Sequence, residues 1–84
     1  MEKQEAVDKV VAILTEKMEH NRREAQYLWC RYNDTMNMAR NAEFKSVKDA
    51  YGKEADSFAL NANYHDSDAD QIEEIIETLK GMLT

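Results

Sequence analysis

The chain has no proline and only two glycines, Gly52 and Gly81. Because proline and glycine are the residues that most strongly disfavour a helix interior, little in this sequence interrupts long helices. Alanine, glutamate, lysine and methionine, which favour helix, are frequent instead. We therefore predict an all-α protein with a single domain, residues 1–84, and no β-sheet.

Cysteine and long apolar runs are also scarce. Cys30 is the single cysteine and cannot form an internal disulfide, which is typical of proteins in a reducing compartment. The charged residues 1–5 do not resemble the apolar core of a signal peptide, and no apolar run approaches the ~20 residues of a membrane span. We therefore expect a cytoplasmic protein that does not bind a membrane.

Apolar and small side chains recur at steps of four and three residues, the spacing of a helical seam. The first series predicts a helix over about residues 2–42 and consists of Val7, Val11, Leu14, Met18, Asn21, Ala25, Leu28, Tyr32, Thr35, Ala39 and Ala42. The second series consists of Tyr51, Ala55, Phe58, Ala62, His65, Ala69, Ile72, Ile76, Leu79 and Leu83. Ser46 is a predicted N-cap between them, which places a turn near residues 43–46. The pattern predicts an antiparallel helical hairpin, or coiled coil, in which the numbers of facing residues sum to about 90.

The polar segment 61–70 leaves two architectures open. Poor helix formers and good N-caps there would break the second arm near residues 64–67 and give a three-helix bundle. The uninterrupted seam through His65 favours a continuous arm, in which His65 lies near Asn21 in a polar layer that fixes the register. Several apolar residues lie beside the seams and need further cover, so we expect a homodimer that forms a four-helix bundle; they are Ile13, Trp29, Met36, Ile75 and Met82.

The net charge of −6 arises entirely in the second half of the chain, which has four basic and ten acidic residues. Asp66, Asp70, Glu73 and Glu77 follow one another at steps of four, three and four, which forms a line of carboxylates about 16 Å long on one helix face. This line is either a solvated surface or a docking surface for a basic partner, and direct binding to nucleic acid is not expected.

The segment 27–32 is the richest in aromatic residues. Tyrosine, tryptophan and arginine are enriched at binding hot spots, so Tyr27, Trp29 and Arg31 are predicted to contact a partner, together with the four acidic residues above. The competing interpretation is that these side chains belong to the core and its edges.

No motif for catalysis or cofactor binding occurs. Cys30 has no histidine or second cysteine near it in sequence, and there is no glycine-rich phosphate loop. Residues 66–77 approach the spacing of a calcium loop, but Gln71 occupies the position that requires glycine. We therefore expect no enzymatic activity, no cofactor and no metal site.

These observations favour a small protein that acts by docking on a larger macromolecule, as an adaptor, regulator or inhibitor. The most specific version is a phage-type or mobile-element-type inhibitor that occupies a basic surface on which its partner holds nucleic acid. The main alternative is a structural protein that assembles with itself, and a metal sensor is less favoured.

Overall fold

A computed structural model shows two long α-helices folded into an antiparallel hairpin. The structure describes residues 2–83, with α1 at Glu2–Asn41 and α2 at Lys45–Gly81. No β-strand occurs in this range. The Cα atoms extend over 65 × 14 × 13 Å, so the hairpin is a thin rod. The prediction of an all-helical antiparallel hairpin is confirmed.

The two seams pack against each other along the whole rod. Every residue of both predicted series is buried or half-buried. Ala55, Ala62 and Ala69 have no exposed surface and are spaced seven residues apart, and Ile76 continues the same row at 6% exposure. Because the alanine side chains are short, the helices can approach closely. No large side chain among residues 2–83 is completely buried.

Residues 42–44 connect the helices, close to the predicted turn. Phe44 is the N-cap of α2, with an extended backbone (φ −99°, ψ 137°) and no side-chain capping bond. Its carbonyl oxygen accepts a hydrogen bond from the backbone N–H of Lys48 at 3.0 Å, which begins the helical ladder. The prediction that Ser46 is the N-cap is therefore wrong, because Ser46 already lies in the first turn of the helix.

Helix α2 continues without a break through residues 64–67, so the three-helix alternative is not observed in residues 2–83. Ser67 and Asp68, the candidate caps of a third helix, lie in the helix interior. Ala62 and Ala69 are fully buried on either side of this segment. Their packing against α1 outweighs the weak helix propensity of the polar residues between them.

Contacts between the helices follow the predicted register. The side chains of Asn21 and His65, of Trp29 and Asp66, and of Arg31 and Phe58 are in contact. The two numbers of each pair sum to within about five of the predicted 90, and a turn centred on residue 43 gives a sum of about 86.

Candidate interaction surfaces

The rod has two broad faces, one on each side of the seam, and they differ in chemistry. A rotation of 100° per residue places Thr15, Arg22, Trp29 and Met36 of α1 on one side, which we name the tryptophan face. The same rotation places Ala59, Asp66 and Glu73 of α2 on that face, opposite the α1 residues. We name the other broad face the open face.

On the tryptophan face, a half-buried hydrogen bond between two side chains joins the helices. Nε1 of Trp29 donates to Oδ2 of Asp66 at 3.0 Å, and both residues are half-buried. The Trp29 ring also meets the Tyr32 ring edge to face, with centroids 5.6 Å apart and planes at 87°. These two contacts fix the indole ring in one orientation.

Arg22 joins the helices one layer further along the same face. Its Nη2 atom lies 2.8 Å from Oε2 of Glu73 and 3.4 Å from Oδ1 of Asp70. The side chains of Asp70 and Glu73 nevertheless remain 71% and 52% exposed. The acidic stripe, which we define as Asp66, Asp70, Glu73 and Glu77, thus has three of its four carboxylates bound by side chains of α1.

The structure separates the predicted aromatic patch into two parts. Trp29 lies with the acidic stripe, whereas Tyr27 and Arg31 lie on the open face, since residues two apart in a helix are about 200° apart. Arg31 places its guanidinium carbon 5.4 Å from the centroid of the Phe58 ring, a cation–π contact. Tyr27 is 59% exposed. The predicted binding residues therefore do not form one continuous surface.

The open face carries most of the exposed large apolar side chains. Their exposure ranges from 38% to 63%, and the residues are Val10, Ile13, Tyr27, Met38, Val47, Tyr64, Ile75 and Met82. Two shallow grooves of about 410 Å³ each open on this face, one beside Ile13 and Ile72 and the other beside Met38 and Val47. Of these eight residues, Ile13, Ile75 and Met82 were predicted to need further cover, and Tyr27 was predicted to contact a partner. Within each helix, the spacings between the other residues are sums of steps of three, four and seven, so these side chains lie on one side of the helix. The stronger periodicity of the seam made this second pattern hard to recognise in the sequence.

A polar pair interrupts the apolar seam near the middle of the rod. Nδ1 of His65 donates to Oδ1 of Asn21 at 2.8 Å, and both residues are half-buried. The predicted polar layer is therefore present. Because each partner satisfies the other only in this alignment, the pair disfavours other registers.

Residues 2–83 contain no cluster of three or more histidine, cysteine or acidic side chains arranged to hold a metal ion. Residues 66–77 are helical, which is incompatible with a calcium-binding loop. Cys30 is exposed and is not in a disulfide. Neither helix, over the part of the chain that the structure describes, has a segment apolar and long enough to cross a lipid bilayer.

Comparison of the chain with protein-family profiles, with curated proteins and with solved structures finds no match.

Proposed function

We propose that this chain is a non-catalytic cytoplasmic protein that docks on the basic surface of a larger macromolecule, as an adaptor, regulator or inhibitor. The observation that carries this proposal is the anchoring of the acidic stripe by α1. Trp29 binds Asp66, and Arg22 binds both Asp70 and Glu73. The carboxylates are held in fixed positions on a helical rod before any partner arrives.

Anchored carboxylates are suited to binding because they lose less conformational freedom when a partner binds them. Each carboxylate has about four lone-pair positions, so Arg22 does not saturate Asp70 or Glu73. Both side chains are more than half exposed, and Glu77 is exposed beyond them. Lysine and arginine side chains of a partner can therefore bind the stripe without displacing Arg22.

The local charge supports a basic partner. Residues 66–77 contain six acidic residues and no basic residue. Such a surface accelerates association with a positive groove and disfavours negatively charged partners. A groove that normally holds the phosphates of a nucleic acid has the required charge, so an inhibitor of the phage or mobile-element type would act by competing with nucleic acid.

The cytoplasmic assignment is supported by Cys30, whose exposed thiol is compatible with a reducing compartment. The absence of an enzymatic role is proposed because the grooves of this thin rod are shallow and no catalytic motif occurs in the sequence.

The test compares two variants of equal charge. Asp70→Asn, Glu73→Gln and Glu77→Gln together neutralise the stripe. The control neutralises three exposed acids near the turn, Asp34→Asn, Glu43→Gln and Asp49→Asn. Both changes move the net charge from −6 to −3, so they differ only in position.

Each immobilised protein is exposed to extract of the native host at about 0.05 M and about 0.5 M salt, with and without added DNA. We expect the wild type and the control to retain a common partner at low salt, and the stripe variant to lose it. Added DNA should release that partner if the partner's surface normally binds nucleic acid. Equal retention by the stripe variant and the control would refute the docking role of the stripe.

A further inference from the structure

We propose that the open face is covered by a second copy of this chain, related to the first by a two-fold axis parallel to the rod. The result is a four-helix bundle in which α1 of each copy packs antiparallel against α2 of the other. This inference is independent of the acidic stripe, because the stripe belongs to the opposite side of the hairpin.

The exposed apolar side chains of α1 and α2 occupy matching levels along the rod. In this hairpin, two residues of α1 and α2 lie at the same level when their numbers sum to about 86, as Asn41 and Lys45 do at the turn and Asn21 and His65 do in the seam. Ile13 is level with Ile75, Tyr27 with Tyr64, and Met38 with Val47. A two-fold axis along the rod keeps every residue at its level and exchanges the helices. Each of these α1 side chains then meets its apolar counterpart on α2 of the second copy.

Charged side chains that lie between these apolar layers also match in sign. On the open face, α2 has two charged residues, Glu54 and Asp68, and both are acidic. Lys17 of α1 is level with Asp68, and Arg31 is level with Glu54. Within residues 2–83, ion pairs are formed only by Arg22, with Asp70 and Glu73. Lys17, Glu54 and Asp68 therefore have no ionic partner in the single hairpin. The same two-fold axis places Lys17 and Arg31 opposite acids of the second copy, and it places Glu24, the acid between them on α1, opposite the uncharged Asn61.

The charges of α2 also disfavour the other simple arrangement. A two-fold axis across the rod would pack α1 on α1 and α2 on α2. Glu54 and Asp68 would then face a helix whose open-face charges are the same two acids, and their α1 partners would lie elsewhere. Like charges across an interface reduce affinity, so the axis along the rod is favoured.

The size of the face is sufficient for a stable dimer. A rod of 65 × 14 Å presents about 900 Å² on one broad face, or about 1,800 Å² for two copies. Specific protein interfaces bury about 1,200–2,000 Å² in total. The eight exposed apolar residues of the open face supply the apolar centre that such an interface requires.

The first experiment measures mass in solution by sedimentation equilibrium over a range of concentrations. The chain has a mass of 9.8 kDa, so the proposal predicts a species of about 20 kDa. Ile13→Glu should weaken the dimer on the order of tenfold or more, because it places a charge in the interface. Leu60→Glu is the matched control: Leu60 is 57% exposed, as Ile13 is 56% exposed, but it lies on the outer side of α2. A wild-type monomer or higher oligomer, or equal weakening by both variants, would overturn the proposal.

The second experiment tests the axis and does not depend on a destabilising change in the apolar layers. One variant carries Lys17→Glu and Arg31→Glu, and the other carries Glu54→Lys and Asp68→Lys. Each variant alone should dimerise weakly, because like charges face each other. An equimolar mixture should form a heterodimer, in which every altered residue meets an opposite charge.

Native mass spectrometry distinguishes the heterodimer from either homodimer. The two variants have net charges of −10 and −2, four units either side of the wild-type −6, so overall attraction does not drive their association. Circular dichroism verifies that each variant is helical. Recovery of the heterodimer supports the axis along the rod, whereas two folded variants that mix without forming a heterodimer would overturn it.

Discussion

The indole N–H of Trp29 donates a hydrogen bond to the carboxylate of Asp66 across the two helices, at 3.0 Å. The pair links one of the most hydrophobic side chains of α1 to the acidic stripe of α2. Its geometry serves both stability and the proposed function, because the same bond that ties the helices together holds a carboxylate in place.

Removing the donor of this bond should destabilise the hairpin. Trp29→Phe keeps an aromatic ring beside Tyr32 but leaves Asp66 half-buried without its partner. We expect the free energy of unfolding to fall by about 1–2 kcal/mol, measured by urea denaturation at one fixed protein concentration. Tyr27→Phe removes an exposed hydroxyl and is the control, with an expected change within about 0.5 kcal/mol. An equal loss in both variants would contradict this role for Trp29.

The alanine row should not accept larger side chains. Ala62 has no exposed surface where the helices meet, so Ala62→Leu must push them apart or distort a rotamer. We expect a loss of about 1–3 kcal/mol in the free energy of unfolding, measured by thermal and urea denaturation. Ala50→Leu, at an exposed position of α2, should change stability by less than about 0.5 kcal/mol. A stable Ala62→Leu variant would show that the helices are too far apart at this layer for Ala62 to be in tight contact with α1.

The polar pair of the seam should show energetic coupling. In Asn21→Leu the His65 ring loses its acceptor, and in His65→Leu the Asn21 amide oxygen loses its donor. The losses of unfolding free energy in the two single variants should therefore sum to more than the loss in the double variant. A double-mutant cycle should give a coupling energy of about 1 kcal/mol, and additive losses would indicate that the hydrogen bond contributes nothing to the register.

The start of α2 should be open to improvement. Phe44 has the extended backbone of an N-cap but no side-chain oxygen to accept a helix N–H, and the first turn of α2 has no acidic residue. Phe44→Asp supplies both a capping oxygen and a negative charge at the helix N-terminus. We expect a gain of about 1 kcal/mol relative to Phe44→Ala, seen as a higher urea midpoint. No difference between the two variants would show that the cap geometry is unsuitable.

Gly52 offers a second stabilising change. It lies inside α2, and a Cβ atom added there would meet nothing within 4 Å. Gly52→Ala should raise the free energy of unfolding by about 0.5–1 kcal/mol, since alanine restricts the unfolded chain and favours helix. The melting temperature provides the measurement. A lower melting temperature would indicate that the methyl group of the alanine clashes with a neighbouring atom.

Most of the architecture could be predicted from the sequence because one physical signal dominates it. The four-three spacing from Val7 to Ala42 and from Tyr51 to Leu83 predicted the buried residues, the register and the polar pair of Asn21 and His65. The absence of proline made long helices the natural outcome.

Local helix propensity is a poor guide at two places in this chain. Ser46 has the better capping chemistry, but the chain reverses earlier, and Phe44 takes the cap position by virtue of its backbone alone. The weak helix formers in residues 61–70 suggested a break, yet burial of Ala62 and Ala69 keeps the helix intact. In residues 61–70 tertiary packing contributes more free energy than local propensity, as the uninterrupted seam through His65 had indicated.

The candidate surfaces were only partly predictable. The acidic stripe follows from helical spacing, whereas its attachment to Trp29 and Arg22 depends on which residues of α1 lie at the same level on the same side. The open face was predicted only in part, because none of its eight apolar residues belongs to a seam and their common side emerges only when the two helices are placed together.

The short connection at residues 42–44 determines the order in which the hairpin closes. Contacts beside the turn join residues that are near in sequence, so forming them costs little loop entropy, and each further layer adds only a small increment. Folding should therefore begin beside the turn and zip towards the termini. The free ends open first when the protein unfolds, and amide hydrogens near Val7 and Leu79 should exchange with solvent faster than those near Thr35 and Ala55.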